Sequence, residues 1–300
     1  MTANNLPDET MIRIVSGDWV AVLSPRGAAL VELRHGESVV TTSSWAGASQ
    51  WFSGSTLFPW VNRLADGAWH LAARKLQALI NDNQNNCANH GLVFDRDFTI
   101  AARTDNAITF AITLEPGDAY PAALDLTVTY SLSETGLAVT YEVSNLGRAR
   151  LPFALGGHPY LLADQDSVLE FGAQERVEVD GRLLPTDISS IDRTQTVLEV
   201  ANRKQYTDAC FTGLVRDASG RASAHLSRPS ANLTVTLWQD EAFTHLQVFT
   251  LQTGRSERPN LVALEPQTAA ANALNTGDGL IWLDGGQNFT GSWGITIGAN

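Results

Sequence analysis

Cysteine is nearly missing from this 300-residue chain: Cys87 and Cys210 have neither CxxC spacing nor the density of a disulfide scaffold. Both are expected as free thiols, which agrees with a reducing cytoplasm. Positive charge is scarce as well. Against 32 Asp and Glu stand 20 Lys and Arg, a formal charge of −12, and no Lys/Arg cluster forms. That balance argues against nucleic acid, whose binding is dominated by cationic contacts to phosphate, and favours a neutral small-molecule ligand over an anionic one. No stretch approaches membrane-spanning length. Met1 to Thr10 is polar and acidic, without the basic and apolar regions of a leader, so a chain neither exported nor membrane-bound is expected. Helical periodicity is also nearly absent, with only Ala269 to Leu274 able to make a turn or two, ended near Asn275 to Gly277.

What the chain does have is alternation. Leu124, Leu126, Val128, Tyr130 and Leu132 share one face of a run, and Leu137, Val139, Tyr141 and Val143 one face of the next, with Ser133-Glu134-Thr135-Gly136 as the hairpin link. Leu233, Val235 and Leu237 repeat the pattern, as do Phe98 to Arg103 and Ala107 to Leu114 around a turn at Thr104-Asp105-Asn106. Met11 to Val15, Trp19 to Leu23 and Leu30 to Arg34 read as short strands, and Ser292 to Ile297 as a closing one. With 44% hydrophobic and 17% charged residues the chain can bury a large core. Many short strands punctuated by Gly and Asn/Asp turns predict an all-β antiparallel sandwich or barrel. No linker or repeat divides it, so residues 1–300 are expected to form one domain.

Two stretches carry more chemistry than a strand requires. Gly156-Gly157-His158-Pro159-Tyr160 presents an imidazole from a tight, stiff support: glycines permit close backbone approach, and Pro159 biases His158 toward extended backbone. Glu265, ahead of Pro266, is restrained in the same way. A titratable side chain on a preorganised backbone suits general acid–base chemistry, so His158 and Glu265 are expected to act as acid and base on one small polar substrate. A third stretch, Asn81 to His90, is dense in amides. It reads either as a solvated surface loop or as a set of uncharged donors and acceptors for sugar hydroxyls.

Taken together, Asn62-Arg63 followed by Gly67, the Asn-rich segment ending His90-Gly91, Gly157-His158-Pro159-Tyr160, and Leu264-Glu265-Pro266 with Asn275-Thr276-Gly277 downstream resemble the successive motifs of the aldose 1-epimerase (mutarotase) family. The resemblance runs from about Leu57 to the C-terminus. It implies a large antiparallel β-sandwich, the galactose mutarotase-like supersandwich, with a sugar in an open cleft and a neutral monosaccharide as substrate. It further implies interconversion of α and β anomers without cofactor or metal. By the same resemblance His158 protonates the ring oxygen, Glu265 takes the proton of the C1 hydroxyl, the two meeting across the sugar ring, and His90 hydrogen-bonds the sugar with a secondary catalytic part. Arg63, Asp208 and Gln247 fall on substrate-binding positions, although Ala209 and Cys210 stand where the family commonly has a polar pair. Asn62 is expected to brace the turn that carries Arg63. Trp60, Tyr160 and Phe94, beside the motifs, are candidate stacking rings, with Trp51 and Trp282 behind them. His35, His70, His225 and His245 carry no motif.

The competing readings are few. A zinc hydrolase would need His-x-x-x-His spacing or a third clustered ligand, and the sequence shows neither. A glycosidase would need two bracketing carboxylates, where only Glu265 is compelling. A hexose-phosphate mutarotase would need a basic cluster, to which Arg63, Arg74, Lys75 and Arg96 are the available contributors. A non-catalytic sugar-binding protein on the same fold, monomer or homodimer like the enzyme, is the last alternative.

Overall fold

The computed structural model describes residues 11–43, 51–202, 206–251 and 260–299, so the expectation placed on Met1 to Thr10 lies outside the described residues. Alternation becomes strand: Leu124–Ser133 buries every second side chain, and it pairs antiparallel with Gly136–Asn145 in a register that sets Leu132 against Leu137. Ser133 and Gly136 themselves pair, so the connecting loop is two residues shorter than the sequence suggested. Ile12–Ser16, Trp19–Ser24 and Ala29–His35 form the expected N-terminal meander.

Among the described residues, two large antiparallel sheets of twelve and nine strands face each other. The twelve-stranded sheet supplies Leu33, Leu161, Val248, Val262 and Leu264 to the shared core, and the nine-stranded sheet supplies Phe110, Tyr130, Val139, Tyr141, Trp293 and Ile295. Each such side chain, fully buried, stabilises the fold by about 1.5–3 kcal/mol relative to exposure. The run expected as a closing strand, Ser292 to Ile297, belongs to the longer strand Asn288–Gly298, which lies in mid-sheet between Gly136–Asn145 and Leu233–Gln239. It ties the two halves of the chain into one sheet.

Two expectations need correcting. The amide-rich segment is no solvated loop throughout: it turns at 83–86 and then forms the buried strand Cys87–Asn89, paired with Arg63–Ala65. Its amides close the turn, for Asn81 Oδ1 accepts from the Asn89 N–H, Asn85 Nδ2 donates to Asp82 and Asn86 Nδ2 donates to Asp66. Among the described residues the α-helix is Ala273–Thr276, which starts later than the expected Ala269 and ends at Gly277 as expected; the buried Ala269, Ala270 and Ala271 before it lie in the bend and turn that follow Asn260–Gln267.

Four adjacent strands of the larger sheet, Tyr160–Ala163, Asn260–Gln267, His245–Leu251 and Asp208–Leu214, carry the candidate residues. Period two sends Val262 and Leu264 into the core and leaves Ala263, Glu265 and Gln267 on the other face. Register then aligns Cys210, Gln247 and Glu265 in one row and Asp208, Phe249, Ala263 and Tyr160 in the next. His158 enters from the short Gly156–Gly157 strand, which pairs with both Thr56–Leu57 and Asn260–Gln267. Here the glycines are required by space. A Cβ on Gly157 would stand 2.9 Å from the Trp293 ring and 3.0 Å from the Tyr141 hydroxyl, both on the opposite sheet. Gly157→Ala should therefore cost about 1–3 kcal/mol by overpacking; a denaturant melt no different from wild type would show that the two sheets do not press on this point.

Candidate active site

His158 Nε2 lies 3.2 Å from Glu265 Oε1, with both side chains about 95% buried. The pair is in direct contact, which corrects the expectation of two groups facing each other across a ring-sized gap. Backbone bonds fix the main chain of His158 on both sides: its N–H donates to the Ser55 carbonyl, and its carbonyl accepts from Gly54 N–H, while Nδ1 of the ring is buried without a hydrogen-bond partner among the described residues. The Tyr160 ring stacks on the imidazole, with centroids 5.1 Å apart and planes 25° apart. Glu265 Oε2 accepts a hydrogen bond of 2.8 Å from Gln267 Nε2.

His90 completes the cluster, its ring centroid 5.1 Å from that of His158. It sits at a left-handed backbone angle, φ 65°, as does Asn62 at φ 50°. Asn62 is the brace for both neighbours. Its N–H donates to His90 Nδ1 at 3.3 Å, and its Oδ1 accepts from the Arg63 N–H and from Arg63 Nη1. With Nδ1 an acceptor, the ring proton of neutral His90 resides on Nε2, which is left to donate. Arg63 Nε is taken by Asp82 Oδ2 at 3.1 Å, leaving Nη2 and part of Nη1 for a ligand.

Gln247 is buried on the same face and donates from Nε2 to Asp208 Oδ1 at 2.6 Å. Tyr160 lies behind the imidazole rather than open to a ligand face. Trp60 is a correction: its ring belongs to the core, 2% exposed, with Nε1 donating to the Ala88 carbonyl, so it has no face for a sugar. Trp282 stacks under Arg150 at 5.3 Å, on the small sheet of Leu151–Phe153 and Ile281–Leu283. The rings that do border the cluster are Phe52, edge-on to His90 at 4.5 Å, Phe94 against Phe52, and Trp51 stacked on Phe249.

Burial dominates the electrostatics. It lowers His158 to about 3 and holds His90 well below the ordinary imidazole range, the His158 and Arg63 charges adding to the latter. It raises Glu265 well above the ordinary carboxylate range, with Asp208 adding to the shift while Gln267 and Arg63 oppose it. Asp208 is raised too, burial outweighing Arg63 and Gln247. Each group is pushed toward its neutral form.

A model of the family described as aldose 1-epimerase matches residues 11–296. The chain belongs to the aldose 1-epimerase family. It is 29% identical over 282 residues to the uncharacterised Escherichia coli K12 protein YihR, covering 92% of this chain and 89% of that one. Among solved structures it resembles a galactose mutarotase-like protein of Clostridium acetobutylicum, with a TM-score of 0.84 at 20% identity over 97% of this chain and 95% of the other. It also resembles a galactose 1-epimerase of Lactobacillus acidophilus, with a TM-score of 0.77 at 17% identity over 100% and 98%. At those identities the likeness establishes the fold, an all-β galactose mutarotase-like sandwich.

Within this epimerase fold, sequence reasoning missed Phe52, Asp82 and Gln267. Gln267 had a readable signal, since it follows Glu265 by two positions and must share its face; Phe52 had none. The expectation that no third metal ligand clusters is also corrected: one ligand atom each from His90, His158 and Glu265 lies within 4.8 Å of the others. By residue type the three fit zinc, but the His90 tautomer does not, because Nε2 carries the proton that a metal would have to displace while Nδ1 is occupied by the Asn62 N–H. Among the described residues no helix is long and apolar enough to cross a membrane. Dialysis against a chelator should leave the melting temperature unchanged, and ¹⁵N NMR should find the His90 proton on Nε2. Stoichiometric zinc in the purified protein, or a proton on Nδ1, would overturn the tautomer and the donor role together.

Proposed function

We propose that the chain, acting as one domain, is an aldose 1-epimerase that interconverts the anomers of a free, neutral hexose, with Glu265 as base and His158 as acid. The observation that carries this reading is the 3.2 Å contact of His158 Nε2 with Glu265 Oε1. Anomerisation removes the proton of the C1 hydroxyl and delivers one to the ring oxygen. Both oxygens are bonded to the same carbon, so acid and base must end in neighbouring atoms.

The dyad holds one mobile proton, which burial favours on Glu265 and which must pass to His158 Nε2 across their 3.2 Å contact before the assigned roles operate. With that proton on the imidazole, Glu265 takes the O1 proton while His158 gives its own to O5; the C1–O5 bond breaks as the C1 carbonyl forms. The open-chain aldehyde then faces a neutral imidazole and a protonated carboxyl. After rotation about C1–C2, O5 attacks the other face of C1 and returns its proton to His158, and Glu265 gives its proton to O1. The pair ends as it began. His90 Nε2–H and the free Arg63 donors serve sugar oxygens, and Asp208, steadied by Gln247, accepts from hydroxyls.

Charge supports an unphosphorylated substrate. Among the described residues Arg63 is the arginine or lysine that acts on the titration of His90, Asp208 and Glu265, and it is already paired with Asp82. Arg74, Lys75 and Arg96 are exposed, and Arg74 donates to the Gly117 carbonyl. Both cysteines are free and buried, which supports a cytoplasmic setting.

Exchange of fresh α-glucose and α-galactose, followed by polarimetry or NMR, should be strongly accelerated by wild type. His158→Asn and Glu265→Gln should each lose about 10²-fold or more with folding intact, and full activity in either variant removes that residue from the mechanism. The pH dependence has a definite sign. Because burial lowers His158 to about 3, a second proton reaches the dyad only in acid; because Glu265 is raised, its single proton is lost above the ordinary carboxylate range. Activity should be flat between those limbs. An acid limb near the free imidazole value of about 6.5 would contradict the assignment.

A further inference from the structure

Gln267 has no role in the reaction as written, yet its surroundings are unusual. It is fully buried, it shares a face with Glu265, and its Nε2 donates to Glu265 Oε2 at 2.8 Å. Its own Oε1 is buried with no hydrogen-bond partner. An orphaned buried carbonyl is destabilising, so packing alone favours an apolar side chain of similar shape. The fold nevertheless makes room for it: Gly156 is its register partner, and a Cβ there would stand 3.3 Å from Gln267 Cγ. The glycine two residues before His158 and the glutamine two residues after Glu265 thus interlock across one strand pair.

Resting on the acid–base reading above, we propose that Gln267 is a positioning residue: by holding one oxygen of Glu265 it turns the other to His158 and draws the shared proton onto the imidazole. A proton shared by two neighbours can reside on either. On the carboxyl, the dyad would present an acid at residue 265 and a base at residue 158, the reverse of the proposed roles. A donor to the carboxylate favours its ionised form and so shifts the dyad toward the arrangement the reaction uses, against the burial that favours a protonated Glu265. An uncharged amide is suited to the task. A lysine or arginine would pair with Glu265 outright and oppose the half of the cycle in which the carboxyl must hold a proton.

The test is Gln267→Leu, with Gln267→Met as a second variant should the first fold poorly. The expected result is a fall in kcat of about 10- to 100-fold, the effect of losing a hydrogen bond to a charged group, with KM little changed. The high-pH limb should move upward, because the carboxyl keeps its proton longer. In a Glu265→Gln background the same change should have no further effect on rate. An unchanged rate, or an equal loss at every pH with the limb unmoved, overturns the proposal and leaves Gln267 a packing residue. Infrared titration of the Glu265 carboxyl band, assigned by its loss in Glu265→Gln, separates this failure from that of the epimerase reading. Even in a protein that exchanges no anomers, the band should persist to higher pH in Gln267→Leu, and an unshifted band overturns the proposal.

Discussion

A carboxyl and an imidazole touching in a buried place is the constraint around which this molecule is arranged. Left to burial alone, each would shed its charge, and the contact would be an ordinary neutral hydrogen bond. What surrounds the pair opposes this in part. Tyr160 and Phe52 keep water from the rings, and Gln267 and Arg63 favour the ionised carboxylate against the influence of Asp208. The site therefore holds a balance rather than a fixed charge state, which is what a step that moves one proton out and another in requires.

That balance is delivered by backbone architecture. His158 and Glu265 come from segments far apart in sequence, and each is followed by a proline that limits its backbone. Sheet register places them side by side, while Trp293 and Tyr141 of the opposing sheet press against Gly157 from beneath. His90 and Arg63 are set by a different device. A left-handed Asn62 hydrogen-bonds both, and Asp82, just before the turn at 83–86, holds the guanidinium. Strain and buried polar atoms gather here, where positioning matters more than stability.

Much of the fold could be read in advance because alternation is a local property: the Leu124–Ser133 hairpin and the N-terminal meander follow from side chains two apart. The Gly-Gly-His-Pro and Glu-Pro segments were readable for a similar reason, since glycine and proline restrict backbone wherever they stand. Distances between strands could not be read. That His158 touches Glu265 depends on how Gly156 and Gln267 register, which no periodicity reports. The amide-rich segment misled because amides satisfy a backbone turn and a sugar equally well, and here Asn81, Asn85 and Asn86 serve the turn. Trp60 misled because an aromatic beside a motif looks the same whether it faces the core or a ligand.

The central claim is that one oxygen of Glu265 and Nε2 of His158 address the two oxygens on a single sugar carbon. A crystal structure of Glu265→Gln soaked with a hexose tests it most directly. The account predicts O1 within hydrogen-bond distance of the residue 265 side chain and the ring oxygen within hydrogen-bond distance of His158 Nε2. A sugar bound with its anomeric carbon turned away from both, at full occupancy, would contradict it.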